Sequence, residues 1–220
     1  TFEITSPMSW GSWILIIVYP ALLANMLMKI PPNFSSKFRS IWDLSSKLQQ
    51  RPMLIKNIGV INMFLGAMLG IYTGILLSSL GARPLWSTSI LWLLFLMSGL
   101  SAAAAFIHLI AKNKSERELL AKADNGFLVI ELFVISLMLI GLVTSTQVHM
   151  DAAYLLLDGS FAASFWVFVI ALGIVIPLII QLLAVNHKIQ HTPVAPIMVI
   201  VGGLILRFVI VAAGQYSKWF

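Results

Sequence analysis

Residues 126–146 read GFLVIELFVISLMLIGLVTST, and Glu131 is the only charged side chain among these 21 residues. A helix needs about 20 predominantly apolar residues to cross the hydrocarbon core of a bilayer. Five further runs meet this requirement, near residues 9–29, 57–80, 87–111, 161–185 and 194–216. All six are continuously apolar rather than alternating, which disfavours a transmembrane β-barrel. The sequence therefore predicts an all-α integral membrane protein with six transmembrane helices.

The composition of the chain excludes several classes of protein. Sixty per cent of the 220 residues are hydrophobic and 10% are charged, whereas an ordinary globular chain has about 25% charged residues. A soluble enzyme, a nucleic-acid-binding domain and a disordered tail are excluded, and the lipid bilayer is the expected surrounding. With no cysteine, the chain offers no thiolate for an iron–sulfur cluster or zinc site. Its four scattered histidines do not form the paired arrangement of haem ligands, so no metal site is expected.

Basic residues predict the orientation. Eleven of the 14 Lys and Arg residues lie in three connecting loops on one side of the predicted membrane: Lys29, Lys37, Arg39, Lys47, Arg51, Lys56, Lys112, Lys114, Arg117, Lys122 and Lys188. Because basic residues concentrate in cytoplasmic loops, both ends of this chain are expected on the non-cytoplasmic side. The first of these loops predicts a short helix at the cytoplasmic headgroups or, alternatively, a partner-docking helix, with an apolar face of Phe34, Phe38, Ile41, Trp42 and Leu48.

The second run contains a stripe of small residues. Gly66, Gly70 and Gly74 recur every four residues, a spacing that lets another helix approach closely. Tyr72 and Thr73 lie within this stripe, about two-thirds of the way to the outer face. Composition alone leaves two interpretations of Tyr72 open: an aromatic residue of the membrane interface, or a hydrogen-bond donor that faces a cavity.

Four ionisable residues lie in or near the predicted spans. Glu131 should face the protein interior, because a carboxylate in hydrocarbon is costly. Asp124 precedes it by two helical turns on nearly the same face, and His108 approaches the same level from the third run. These three residues could form a proton relay; alternatively, Asp124 caps a helix, His108 lies at the headgroups and Glu131 is satisfied by one hydrogen bond. Arg207, inside the sixth run, needs carbonyls, water or a carboxylate, and a purely structural role stays open.

Several ordered stretches carry a family resemblance. They are TSPMSWG at residues 5–11, GIYTG at 70–74, RPLW at 83–86, FLMSGLS at 95–101 and LRF at 206–208. Together with Asp124 and Glu131, which match an acidic pair, they make the chain similar to the integral membrane subunit of the polysulfide reductase and nitrite reductase D type. The resemblance covers nearly the whole chain.

The resemblance implies a fold of two four-helix bundles. The six predicted spans would be helices three to eight of that fold, with residues 1–85 as the remaining half of the N-terminal bundle and residues 86–220 as the C-terminal bundle. We expect N-terminal sequence to be missing, since the chain opens on Thr1 rather than Met. The His and Asn that the family's first span supplies to a quinone pocket cannot be named here.

The resemblance also implies a function: a quinone-interacting anchor of a respiratory oxidoreductase in a prokaryotic inner membrane. Menaquinone or ubiquinone would bind near Tyr72 and Thr73. This chain, with no haem or iron–sulfur cluster of its own, would exchange electrons with a ferredoxin-like iron–sulfur subunit and, through it, with a catalytic subunit. Asp124, His108 and Glu131 would serve a cytoplasmic proton route if protons cross the bilayer, and relatives that exchange protons locally leave this open.

Two other functions compete with the quinone-linked anchor. A secondary transporter or proton channel could use Glu131 and Arg207 without redox partners, but the internal repeats and broken helices typical of transporters are not evident. An inert anchor that tethers an extrinsic enzyme is the third. No nucleotide-binding loop, metalloprotease motif or catalytic-triad spacing is found, so no catalytic residue is assigned.

Overall fold

The structure, a computed structural model, describes residues 6–28, 45–47, 50–79, 81, 83–186 and 192–219. Within these ranges every regular element is helical. The helices are α1 (Pro7–Met28), α2 (Pro52–Ser79), α3 (Leu91–Ile110), α4 (Lys114–Val143), α5 (Gln147–Leu157), α6 (Ser164–Val185) and α7 (Val194–Tyr216). A 3₁₀ turn, Pro84–Trp86, precedes α3, and α6 is a π-helix over Ser164–Val175 that continues as an α-helix over Ile176–Val185.

Six of these helices, all except α5, are long and apolar enough to cross a membrane. Their outer faces carry large apolar side chains such as Phe106, Phe133 and Phe208, each more than half exposed, as lipid-facing residues are. The predicted all-α membrane fold with six spanning helices is confirmed. The apolar face predicted between residues 31 and 56 lies outside the described residues.

The largest difference from the predicted boundaries is at α4, which begins at Lys114, twelve residues before the apolar run. Its 30 residues extend about 45 Å, more than the roughly 30 Å hydrocarbon core. The polar first turns are held by local pairs, including Lys122 Nζ to Glu118 Oε1 at 2.9 Å. Hydropathy locates the part of a helix that lies in lipid, whereas the helix itself continues as long as its backbone and i,i+4 pairs are satisfied.

Two other differences concern the connections. Helix α3 begins at Leu91, four residues after the predicted start, because Pro84–Trp86 forms a buried 3₁₀ turn first. Helix α5 was not predicted: its eleven residues are too few to span a bilayer, but it buries Ala152, Ala153 and Leu156 on one face.

The chain divides into two compact units, Thr1–Tyr72 and Thr73–Phe220. In the first unit, Asn62 Nδ2 on α2 donates to the Ala21 carbonyl of α1 at 3.1 Å, so an amide joins the two helices where lipid could not satisfy it. The division into two four-helix bundles at residues 85 and 86 stays a prediction.

The second unit has one core, built by α3, α4, α6 and α7 around Leu94, Leu128, Phe165 and Leu206. Helices α6 and α7 cross backbone to backbone at Gly173 and Gly202. A Cβ added to Gly173 would lie 2.8 Å from the Gly202 Cα, a distance that real Cβ contacts do not show. Only glycine at both positions allows the two helices to approach this closely.

Candidate functional site

A stripe of polar side chains runs along the α3–α4 interface. Ser98, Ser101 and His108 lie on the face of α3 that meets α4, and Asp124 and Glu131 lie on the opposing face. Spacings of three and seven residues place each set on one side of its helix, and all five side chains are buried. Lipid cannot satisfy such groups, so their partners must be other side chains, backbone carbonyls or water.

Asp124 lies at the centre of a hydrogen-bonded triad and is completely buried. Ser101 Oγ donates to its Oδ1 at 2.5 Å, and Gln181 Nε2 of α6 donates to its Oδ2 at 2.7 Å. Because α4 begins at Lys114, ten residues before Asp124, the helix-capping alternative is excluded. The carboxyl group joins three helices.

Glu131 lies two turns further along α4, beside Ser98 and Arg207. The Ser98 hydroxyl and the Arg207 guanidinium are the polar groups that interact with the Glu131 carboxyl group across helices. Among the described residues no ion pair within 4.0 Å joins the two charged side chains. Ser98 therefore lies between a cation and a carboxyl group, and its hydroxyl can accept from one while it donates to the other.

Backbone carbonyls hold Arg207. Its Nη1 donates to the Gly203 carbonyl at 2.8 Å and reaches Ser98 Oγ at 3.5 Å, while Nη2 reaches the Phe95 carbonyl at 3.5 Å. The guanidinium carbon also lies 6.0 Å from the centre of the Phe95 ring, within cation–π range. These contacts keep the positive charge inside the second unit, next to the polar stripe of α3 and α4.

Sequence reasoning missed Gln181 and Asn125. Both are buried, and Gln181 Oε1 and Asn125 Oδ1 have no hydrogen-bond donor among the described residues. The sequence carries a signal for Gln181, which is the one amide, hydroxyl or charge between residues 165 and 185. A lone amide inside an apolar span is expected to face a polar partner on a neighbouring helix.

A cleft of about 170 Å³ lies at the end of the stripe that is predicted to be cytoplasmic. It is lined by His108, Leu109, Arg117, Thr192, Pro193 and Pro196. Arg117 Nε donates to the Ala111 carbonyl at 2.7 Å, which holds this cation at the edge of the cleft. His108 is itself 5% exposed, so its ring is enclosed by protein, and its location at the level of the headgroups stays a prediction.

In the first unit, Tyr72 packs against α1. A Cβ placed on Gly11 would overlap the Tyr72 ring and its hydroxyl oxygen, so a glycine at position 11 is what allows the ring to lie there. The ring is half-buried, and Thr73, the next residue of α2, is exposed. Tyr72 is therefore held by a helix-to-helix contact rather than extended freely into lipid.

The three glycines of the α2 stripe differ in their surroundings. At Gly74 an added Cβ would contact the backbone of Trp92 and Leu91, so this glycine permits a close approach to the start of α3. At Gly66 an added Cβ would meet no atom within 4 Å. A packing role for Gly66 and Gly70 stays a prediction.

No group of three or more His, Cys, Asp or Glu side chains within the described residues could hold a metal ion.

Comparisons with known proteins identify relatives over most of the chain. The chain is 34% identical over 175 residues to the protein NrfD homolog of Haemophilus influenzae. This match covers 74% of this chain and 54% of that protein. It is 32% identical over 170 residues to the C subunit of polysulfide reductase from Wolinella succinogenes, covering 71% of this chain and 53% of the relative. It is 29% identical to protein NrfD of Escherichia coli over an alignment of 231 positions, which covers 98% of this chain and 72% of the relative.

The chain thus spans about half the length of the first two of these curated relatives. No solved structure matches it significantly. The family described as "Polysulphide reductase, NrfD" matches residues 1–217, which confirms the resemblance inferred from the ordered motifs. This multi-pass membrane chain therefore belongs to the NrfD/polysulphide reductase family.

Proposed function

We propose that this chain is a quinone-interacting membrane anchor of a prokaryotic respiratory oxidoreductase. It would exchange electrons between menaquinone or ubiquinone in the inner membrane and a ferredoxin-like iron–sulfur subunit, which in turn serves a catalytic subunit. The proposal rests on the stripe of buried ionisable and hydroxyl side chains along the α3–α4 interface, found in a member of this family. Quinone chemistry joins electrons to protons, and these buried groups are suited to supply and remove protons.

The proton route would begin at the cleft beside His108. From there it would pass to Asp124, held by Ser101 and Gln181, and on to Glu131, held by Ser98 beside Arg207. Carboxyl, hydroxyl and imidazole groups can each donate and accept a proton, whereas the surrounding Leu and Ile side chains cannot. An inert anchor would have no use for such groups, because burying them is costly.

Quinone would bind beside Tyr72, with the phenol hydroxyl donating to a quinone carbonyl oxygen and Thr73 nearby on the same helix. The close contact between Gly11 and the Tyr72 ring supports this assignment, because it fixes the position of the ring. The quinone supplies the two-electron chemistry when bound, and the protein holds and orients it.

We expect Tyr72→Phe to weaken quinol binding while the complex still assembles. The change removes one hydroxyl group and keeps the ring against Gly11, so the loss is that of a single hydrogen bond, about 1 kcal/mol or roughly fivefold in affinity. Quinol titrations of the assembled complex measure it. Tyr154→Phe, at an exposed tyrosine of α5, is the matched control. Equal quinol affinity in the two variants would remove Tyr72 from the proposed site.

The proposed orientation can be tested with single cysteines, because the chain has none of its own. Ser115→Cys near the start of α4 and Ser145→Cys just beyond its end are both at exposed positions. A membrane-impermeant maleimide added to intact spheroplasts should label Cys at 145 and should label Cys at 115 only after lysis. The reverse pattern would contradict the orientation and, with it, the outward location of Tyr72.

A further inference from the structure

Gln181 is the one polar group that α6 contributes to the buried stripe. It lies one turn beyond Pro177 in the α-helical half of α6, and its side chain is 2% exposed. Helix α6 carries no charged or titratable side chain between Ser164 and Val185. The Gln181 amide is therefore the group through which α6 hydrogen-bonds Asp124.

Both carboxyl oxygens of Asp124 are occupied, one by the Ser101 hydroxyl and one by the Gln181 Nε2 group. The amide donates to Asp124 through its NH₂ end, while its other end, Oε1, is buried without a donor among the described residues. An amide group keeps almost the same shape when it turns by half a rotation about its terminal torsion, which is a soft torsion. The turn exchanges the donor for the acceptor in front of Asp124.

The two orientations suit the two protonation states of the carboxyl group. The NH₂ end donates to a carboxylate, whereas the Oε1 end accepts from the O–H of a neutral carboxylic acid. In each matched state the amide makes one hydrogen bond to Asp124 through one of its ends, so the number of hydrogen bonds is the same with and without the proton. This balance is what a group that takes up and releases protons requires.

We propose that Gln181 is a positioning residue that turns its amide so that Asp124 stays hydrogen-bonded both with and without its proton. When a proton reaches Asp124 Oδ2, an O–H bond forms there, the Nε2–H···Oδ2 bond breaks and an O–H···Oε1 bond replaces it. When the proton leaves, these changes reverse, and no electron is transferred. The proposal rests on the proton route described above, which gives Asp124 a reason to change its protonation state.

The other ionisable groups near Asp124 come from three helices. Glu131 lies two turns away on α4, His108 lies two turns from Ser101 on α3, and Arg207 of α7 lies beside Glu131. The Asp124 carboxyl group accepts its hydrogen bonds from Ser101 and Gln181 rather than from any of these three groups. The amide turns when Asp124 gains or loses its proton. The turn changes the hydrogen bonds of the amide, so it can be observed as a change in the amide's infrared band.

Infrared difference spectroscopy on the assembled complex tests the proposal. In the unmodified protein, a pH titration should show the protonated carboxyl band of Asp124, assigned by its loss in Asp124→Asn, changing together with a side-chain amide band. That amide band should be absent in Gln181→Met, which has similar length and no amide, and present in Gln215→Met, an exposed glutamine of α7. In Gln181→Met the carboxyl band should also shift, and proton-linked charge movement in proteoliposomes should fall about tenfold, as for the loss of a hydrogen bond to a charged group.

Three results decide between the possibilities. An Asp124 band that titrates in the unmodified protein with no accompanying amide change would overturn the proposal, and this measurement needs no variant to fold. An unshifted carboxyl band in a well-assembled Gln181→Met complex would overturn it as well. A third result separates the two proposals. If the unmodified protein shows the coupled carboxyl and amide bands but Asp124→Asn moves charge as fast as the unmodified protein, the role of Gln181 stands and the proton route through Asp124 fails.

Discussion

Replacing Glu131 with glutamine is expected to reduce proton-linked charge movement by about a hundredfold while the complex still assembles. Glutamine fills the same volume and can still hydrogen-bond Ser98, so the packing of α3 against α4 is preserved. It cannot take up and release a proton, and a positioned proton carrier contributes about 10²- to 10⁴-fold to a rate. Quinol oxidation should slow in parallel if protons reach the quinone by this route.

The measurement is charge movement across proteoliposomes that contain the assembled complex, driven by quinol. Glu116→Gln is the matched control, because it makes the same chemical change in the first turn of the same helix at an exposed position. Unchanged turnover and charge movement in both variants would show that Glu131 is structural and that quinone protons are exchanged at the outer face.

Replacing Gly202 with leucine is expected to prevent α6 and α7 from packing. A Cβ on Gly202 would overlap the Gly173 backbone, and backbone atoms cannot move aside as a flexible side chain can. Overpacking of a core costs about 1–3 kcal/mol and sometimes more, so we expect a loss of at least about 3 kcal/mol for this contact. Gln181 on α6 and Arg207 on α7 would lose their positions together.

Thermal unfolding in detergent and the yield of folded protein measure this effect. Gly141→Leu in α4 is the control, because an added Cβ there would meet no atom within 4 Å. A Gly202→Leu variant as stable as the control would show that the crossing is looser than the structure describes.

The membrane fold is readable from the sequence because lipid imposes one strong requirement. Any helix that crosses the hydrocarbon needs a long apolar run, and Glu131 inside such a run had to face the protein interior. The start of α4 is not readable in this way, because eight of the twelve residues 114–125 are polar or charged and their helix depends on local pairs and on packing against α3.

The partners within the site depend on how the helices are packed, which a single sequence does not record. Sequence reasoning brought Asp124, Glu131 and His108 together by depth, yet the separation of Arg207 from Glu131 by Ser98 depends on how α3, α4 and α7 are rotated. Gln181 could have been recognised as a lone amide in an apolar span, but its partner on α4 could not. The ring of Tyr72 was singled out by its glycine neighbours on α2, whereas its contact with Gly11 on α1 appears only in three dimensions.

Electron transfer between quinol and an iron–sulfur subunit tests the central claim most directly. The intact complex should be purified through a tag on this chain, its bound quinone extracted, and reduced quinol added while the cluster signals are followed by electron paramagnetic resonance. We predict that an iron–sulfur subunit and quinone co-purify, that quinol and the clusters exchange electrons, and that this exchange is slower in Tyr72→Phe than in Tyr154→Phe. A well-folded preparation with neither quinone nor an iron–sulfur partner, which nevertheless moves protons or a solute across vesicles, would contradict the claim.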